Sequence, residues 1–209
     1  MVSMQQPVGG PFPELRGLDY AGLEAAFRDA PPDGPQFGLA YWVEVAALLA
    51  TSRRGRRFLR KAARDADPER SAAALFGLAG PGGRRSRRLR RLLESKADSG
   101  HPVVAAEAIE GLASIGAHQR DATVAAWLAR DSGRERSAAL RYAAEHGRTP
   151  LAELLRPALQ DPDSQVRFHA ANLADDHDAF LAEDVEPLLR DPDADVRWIA
   201  AHMLERARK

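Results

Sequence analysis

Asp161-Pro162-Asp163-Ser164-Gln165-Val166-Arg167 returns thirty residues later as Asp191-Pro192-Asp193-Ala194-Asp195-Val196-Arg197. A leucine-bearing helical pattern precedes each copy and an alanine-rich one follows it. Self-similarity at this period marks a stacked-repeat architecture. A unit of that size cannot shelter its own apolar side and has to be covered by the copy beside it.

Working outward, each copy reads as the turn of a helix pair. Leu151, Leu154, Leu155 and Leu159 share one helical face, Asp161-Pro162 ends that helix, and Val166 to Ala174 forms the next. In the last pair, Phe180 or Leu181, Val185, Leu188 and Leu189 supply the face, and the second helix runs from Val196 to Ala207. Proline cannot continue an old hydrogen-bond ladder but suits the first turn of a new helix, and the neighbouring aspartate caps free amides there. Toward the start the pattern loosens but persists. A fourth pair has Val124, Trp127 and Leu128 before Asp131-Ser132-Gly133, and a third has Leu89, Leu92 and Leu93 before Val104, Ala108 and Leu112. The second has Phe58, Leu59, Ala62 and Ala63 before Asp65-Ala66-Asp67-Pro68, and the first runs from Leu18 to Phe27 and from Phe37 to Ala50. No segment sustains the period-2 alternation of a strand. The expectation is an all-α chain of about six antiparallel helix pairs. Residues 1–13, with Pro7, Gly9, Gly10, Pro11 and Pro13, read as a flexible tail, and 14–209 as a single repeat domain.

Composition narrows the function classes. The 209 residues include no cysteine, which excludes disulfides, thiolate nucleophiles and cysteine-ligated metals. No apolar run approaches the roughly 20 residues that cross a bilayer, and the first residues lack the pattern of a secretory signal. A cytoplasmic protein is expected, and arginine far outnumbers lysine (Lys61, Lys96 and Lys209 only), as in GC-rich bacteria. The net charge of zero hides an asymmetry. Between Arg53 and Arg91 fourteen basic residues face only Asp65, Asp67 and Glu69, whereas from His101 onward 13 Lys+Arg face 19 Asp+Glu.

The pattern Leu/Val-x-x-x-Leu-x-Asp-Pro-Asp-x-x-Val-Arg-x-x-Ala-Ala, strongest at Val185 to Leu204 and Leu155 to Ala174, resembles the HEAT repeat in its short bacterial, phycobilisome-lyase-type form. The resemblance implies an α-solenoid, a short right-handed superhelix whose second helices line the concave side. It also implies a ladder of turn aspartates and post-valine arginines. The matching pairs are Asp161 with Arg167 and Asp191 with Arg197; Asp131 with Arg136 is one residue shorter, and the third pair, with Val103-Val104, has no arginine, so the ladder is expected to be interrupted. The motif is specific for architecture and unspecific for activity.

On each second helix the positions three, four, seven and eight beyond the valine form the core stripe. That places Val196, Ile199, Ala200, Met203 and Leu204 inward and Trp198, His202 and Glu205 outward. In the fifth pair the outward set is Phe168, Asn172 and Asp175. Exposed aromatics among adaptable polar groups make a plausible partner-binding surface; the competing reading is that Phe168 and Trp198 cover seams between repeats. His169 falls on the core stripe, and Trp127 and Tyr142 sit at core-like positions. The run Asp175-Asp176-His177-Asp178 reads as a polar turn rather than a metal site, and no metal or other cofactor is expected.

Arginines supply the second signal. Arg53, Arg54 and Arg57, then Arg84, Arg85, Arg87, Arg88 and Arg91, fall in basic segments 53–64 and 84–91 on first helices, the convex side of such a solenoid. They suit phosphates or an acidic protein. No nucleophile–base set and no phosphate loop is present, so the chain does not read as an enzyme. The leading expectation is a non-catalytic adaptor or scaffold that holds another protein on its concave face, with self-association through the last helix as a further option. The alternative is nucleic-acid binding, since bacterial alkylpurine DNA glycosylases are similar at the level of their HEAT-like repeats. Those enzymes use a basic concave face with tryptophan and aspartate at the lesion. Here the basic residues lie on first helices and Trp198 lies in the acidic half, departures that argue against catalysis. A bilin lyase has no support beyond the repeat itself.

Overall fold

The computed structural model describes residues 12–29, 38–81, 85–180 and 182–207, and within them every regular element is helical. A 3-10 turn, Pro13–Gly17, leads into twelve helices: α1 Tyr20–Arg28, α2 Gly38–Ala50, α3 Arg53–Ala62, α4 Pro68–Ala79, α5 Arg87–Ala97, α6 Pro102–Ser114, α7 Asp121–Leu128, α8 Gly133–His146, α9 Leu151–Ala158, α10 Ser164–Asp176, α11 Ala182–Val185 and α12 Ala194–Ala207. A second 3-10 segment, Glu186–Arg190, prolongs α11. These are the six pairs read from the sequence.

Local chemistry starts the helices where they start. The side chain of Asp19 accepts from the Gly22 amide, Ser52 from Gly55, Asp67 from Glu69 and Arg70, Ser86 from Leu89, and Asp163 from Gln165. Each satisfies amides that the helix itself leaves open. Pro68 and Pro102 stand in first turns, where the missing N–H costs nothing.

By contact the chain divides into two compact units, Met1–Ile115 and Gly116–Lys209. In the first, α4 packs between α2 and α6 while α1, α3 and α5 lie against them. Small residues allow the close approach: Ala72, Ala73 and Ala74 are fully buried, and a β-carbon at Gly77 would stand 2.6 Å from the Ala46 carbonyl oxygen. Tighter still is Gly55, where a β-carbon would meet the Leu49 carbonyl oxygen at 1.9 Å, so α3 crosses the end of α2 where only glycine fits. The ordered packing begins before residue 14: Phe12 is buried edge-to-face on Tyr41, ring centroids 5.1 Å apart, and Leu15 is buried behind it. Phe12 therefore belongs to the packed unit and not to a tail. Residues 1–11 lie outside the described residues.

The second unit repeats the plan, with α10 between α8 and α12, α7 and α9 against α8, and the α11 segment against α12. Its core holds Leu155, Val166, Ala170, Ala171, Ala174, Val185, Val196, Ile199, Ala200 and Met203. Trp127 and Tyr142 are buried edge-to-face, and the Tyr142 hydroxyl donates to the Ala117 carbonyl at 2.8 Å and accepts from the Gln119 amide.

The arginine–aspartate ladder is present but staggered, and this corrects the expected pairing. Arg136 binds the Asp161 carboxylate with two nitrogens (2.8 and 2.6 Å), and Arg167 binds Asp191 in the same way (2.7 and 2.8 Å). Each arginine thus reaches the turn of the following pair. Toward its own turn it donates only to backbone: Arg167 to the carbonyls of Asp161 and Pro162, Arg197 to those of Asp191 and Pro192. Arg136 joins the ladder despite its shorter spacing. Burial pushes the Asp161 carboxyl up, but the Arg136 guanidinium and the Asp163 amide outweigh it and hold it below its ordinary value. Asp191 is held down first by Arg167, against burial.

Candidate functional site

Two stripes of positive charge face each other in the first unit. On α3 and the residue turn after it, Arg53, Arg56, Arg57, Arg60, Lys61 and Arg64 follow the i, i+3, i+4, i+7, i+8, i+11 spacing of one helical face. The opposite face carries the buried Gly55, Leu59 and Ala63. On α5 the buried Leu89, Leu93 and Ala97 turn inward and leave Arg87, Arg88, Arg91 and Lys96 on the outer side. These ten cations, with Leu89, Leu92 and Ser95, line one groove of about 1320 Å³, and no carboxylate among the described residues lines it.

Most of the ten are uncommitted. Among the described residues, Arg53, Arg57, Arg60, Lys61, Arg64, Arg87, Arg88, Arg91 and Lys96 make no ion pair. Arg56 caps the end of α2, donating to the carbonyls of Ala50 and Thr51 at 2.7 and 3.2 Å. Like charges crowded on one low-dielectric wall repel one another, and an anion in the groove relieves that repulsion.

The sequence-derived basic residues do not all converge here. Arg54 leaves the groove to lie over the Tyr20 ring, 4.0 Å from its centroid. Arg85 donates to the Ser114 carbonyl at 3.1 Å, and Arg84 lies outside the described residues. Arg60, Lys61 and Arg64, inside the 53–64 segment, also line the groove, as does Lys96, which lies beyond both basic segments. The helical spacing from Arg53 to Arg64 was the signal that identifies them.

The residues proposed from the second unit are placed differently. Trp198 is 63% exposed and its ring stacks on His202, centroids 5.7 Å apart and planes within 8°. His202 and Glu205 are exposed beside it. Phe168 is half-buried and packs against the core of that unit, and Asn172 is half-buried with its amide donating to the Phe168 carbonyl of its own helix. Asp175, expected to face outward, is buried and paired with Arg206 at 3.1 Å; the same guanidinium holds Asp178 and the Asp175 carbonyl. The acidic run after α10 is thus tied to the end of α12, and Asp178 completes that turn at a φ of 50°. His169 is half-buried; burial, then the Arg141 charge, hold its imidazole below the ordinary histidine value against the pull of Asp163.

No helix among the described residues is long and apolar enough to cross a membrane. No protein-family pattern matches the sequence, and no curated protein sequence matches it either. Solved structures do match. The crystal structure of YibA from Escherichia coli aligns with a TM-score of 0.67 at 17% identity, covering 92% of this chain and 72% of YibA. An engineered protein aligns more loosely, with a TM-score of 0.46 at 19% identity, over 89% of this chain and 96% of its own. The chain therefore shares an all-helical fold with YibA, and at such identity the likeness extends to the fold alone.

Proposed function

We propose that this chain is a non-catalytic binding protein of HEAT-like repeats that holds the phosphate backbone of a nucleic acid along the α3–α5 groove. One observation carries the reading: ten cations from two helices line a single groove in whose lining no carboxylate stands among the described residues. The stripe from Arg53 to Arg64 is about 16 Å long at 1.5 Å per residue, comparable to about five base-pair steps of a duplex. The lining offers charge and flexible donors but no aromatic ring, which suits sequence-independent contact with a backbone. It also contains neither carboxylate nor imidazole to act as general acid or base, which supports binding without chemistry. The repeat motif and its staggered arginine–aspartate rungs support the HEAT-like assignment.

The test is fluorescence anisotropy with a labelled duplex of about 20 base pairs at low salt, comparing the wild type with Arg57→Ser/Arg60→Ser/Arg88→Ser/Arg91→Ser. Arg57, Arg88 and Arg91 are exposed and Arg60 is half-buried in the groove wall, so helical circular dichroism should be unchanged. The expected result is at least a hundredfold loss of affinity. Equal affinity for the two proteins would overturn the reading.

A second reading, protein binding by the α12 face, is favoured by a separate observation, the exposure of Trp198 stacked on His202. Large exposed aromatics dominate binding hot spots. It predicts that Trp198→Ala/Phe168→Ala loses a partner protein from a pull-down while keeping its helical content; recovery of the same partner by the variant would remove it.

A further inference from the structure

A second cavity adjoins the basic groove. It holds about 570 Å³ and is lined by Phe27 and Arg28 of α1, Phe58 and Lys61 of α3, and Arg64, Asp65 and Arg70 around the α3–α4 turn. Its volume is in the range of cavities that enclose a small organic molecule. Phe27 and Phe58 meet edge-to-face with centroids 5.6 Å apart, and the Arg28 guanidinium stands 5.5 Å from the Phe58 centroid. Of the four cations around this aromatic wall, Arg28 pairs with Glu24, and Arg70 pairs with Asp67 at 3.6 Å and lies over the Trp42 ring, whereas Lys61 and Arg64 make no ion pair among the described residues. The one carboxylate, Asp65, accepts from the Asp67 amide at 3.0 Å.

Lys61 and Arg64 line both this cavity and the groove. They sit three positions apart on the same helical stripe, so a phosphate held between them has the groove on one side and the aromatic wall on the other. From this shared wall we infer that the cavity takes a nucleotide whose base is out of the stack, its ring against Phe58 and its phosphate at Lys61 and Arg64. The inference rests on the nucleic-acid reading of the groove for the choice of ligand. A phosphorylated tyrosine has the same ring-plus-phosphate chemistry, but a single phosphate leaves the other groove cations unanswered, whereas a strand with a phosphate at every step meets them. The nucleotide comes either from such a strand or from solution, and the two sources are separable by experiment.

Four probes test it with the full chain: a paired duplex, the same duplex carrying one unpaired adenosine, adenosine monophosphate, and a phosphotyrosine peptide. The variant is Phe58→Leu, which removes the ring and keeps apolar volume; its melting temperature is checked first, and Arg28→Gln serves as a second variant if the first is unstable. The wild type should bind the bulged duplex about fivefold more tightly than the paired one, the low end of what stacking one base on an aromatic side chain contributes. Phe58→Leu should abolish that preference and leave the paired duplex bound as before. Equal wild-type affinity for bulged and paired duplexes, with no binding of adenosine monophosphate, overturns the cavity assignment and leaves the groove reading intact. Binding of adenosine monophosphate that Phe58→Leu abolishes, with no duplex bound, keeps the cavity as a site for a free nucleotide and removes the groove reading. A phosphotyrosine peptide bound in this cavity where adenosine monophosphate is not would overturn the nucleotide assignment.

Discussion

The two units use arginine in opposite ways. In the second unit Arg136 and Arg167 are nearly buried, each gripping the carboxylate of the next turn with two nitrogens. In the first unit the arginines of α3 and α5 stand along a groove, and nine of its ten cations have no ion-pair partner among the described residues. Position in the repeat makes the difference. An arginine just after the valine of a second helix reaches the following turn, where Asp161 or Asp191 waits. On the first helices α3 and α5 the groove-lining arginines other than Arg56 meet no carboxylate among the described residues, although Arg156 of the first helix α9 does pair with Asp184. The same residue type thus ties turns together in one unit and lines an open groove in the other.

The largest expected effect is on binding. Replacing Arg134, Arg148 and Arg190, exposed arginines of the second unit, by serine should leave duplex affinity within about twofold. The four groove replacements should weaken it at least a hundredfold. If the second-unit variant binds as poorly as the groove variant, total charge rather than the groove governs binding and the contrast between the units fails.

Next comes Arg167→Ala, which strands the buried Asp191 carboxylate. Removing one partner of a buried ion pair costs about 3–5 kcal/mol, read as a lower midpoint in urea denaturation; the groove variants should move that midpoint little. A loss below about 1 kcal/mol would mean that the rung does not hold the turns together.

Acidification should also separate the units. Asp161 and Asp191 have folded values below their unfolded ones. Between those values the unfolded chain binds more protons, so their stabilisation is complete above the unfolded value near 3.9 and is lost as the pH falls through the folded value. His169 is likewise depressed, which adds an earlier loss as the pH falls below about 6.5. Thermal melts should show the second unit weakening from about pH 6.5 downward, and His169→Phe should remove that first phase. Melting that is flat from pH 7 to 5 in the wild type would contradict the histidine assignment. The smallest effect belongs to Trp198→Ala: its exposed ring should change stability by no more than about 0.5 kcal/mol.

Helix pairs and the core stripe of α12 were legible because both follow from spacing along one stretch of chain, and Val196, Ile199, Ala200, Met203 and Leu204 are all buried. The stagger of the ladder was not legible. Arg136 and Asp161 are 25 residues apart, and only the packing of successive pairs decides which turn an arginine reaches. Asp175 was misplaced for a similar reason, since its partner Arg206 arrives from another helix. The groove was half legible: the stripe on α3 stands in the sequence, but its facing stripe on α5 is brought to it by the fold. Phe58 read as a core residue, and nothing in its spacing announced a cavity shared with Phe27. Phe12 looked like part of a proline-rich tail because a single aromatic carries no periodicity.

The most direct test of the central claim is the salt dependence of duplex binding by the wild type and the four-arginine groove variant. Each neutralised phosphate contributes about −0.9 to the slope of log K against log salt. A wild type using five groove cations should give a slope of about −4.5, and the variant a slope shallower by about 3 to 4. Parallel lines of equal slope for the two proteins would contradict the claim that the cations of α3 and α5 form one site for a phosphate backbone.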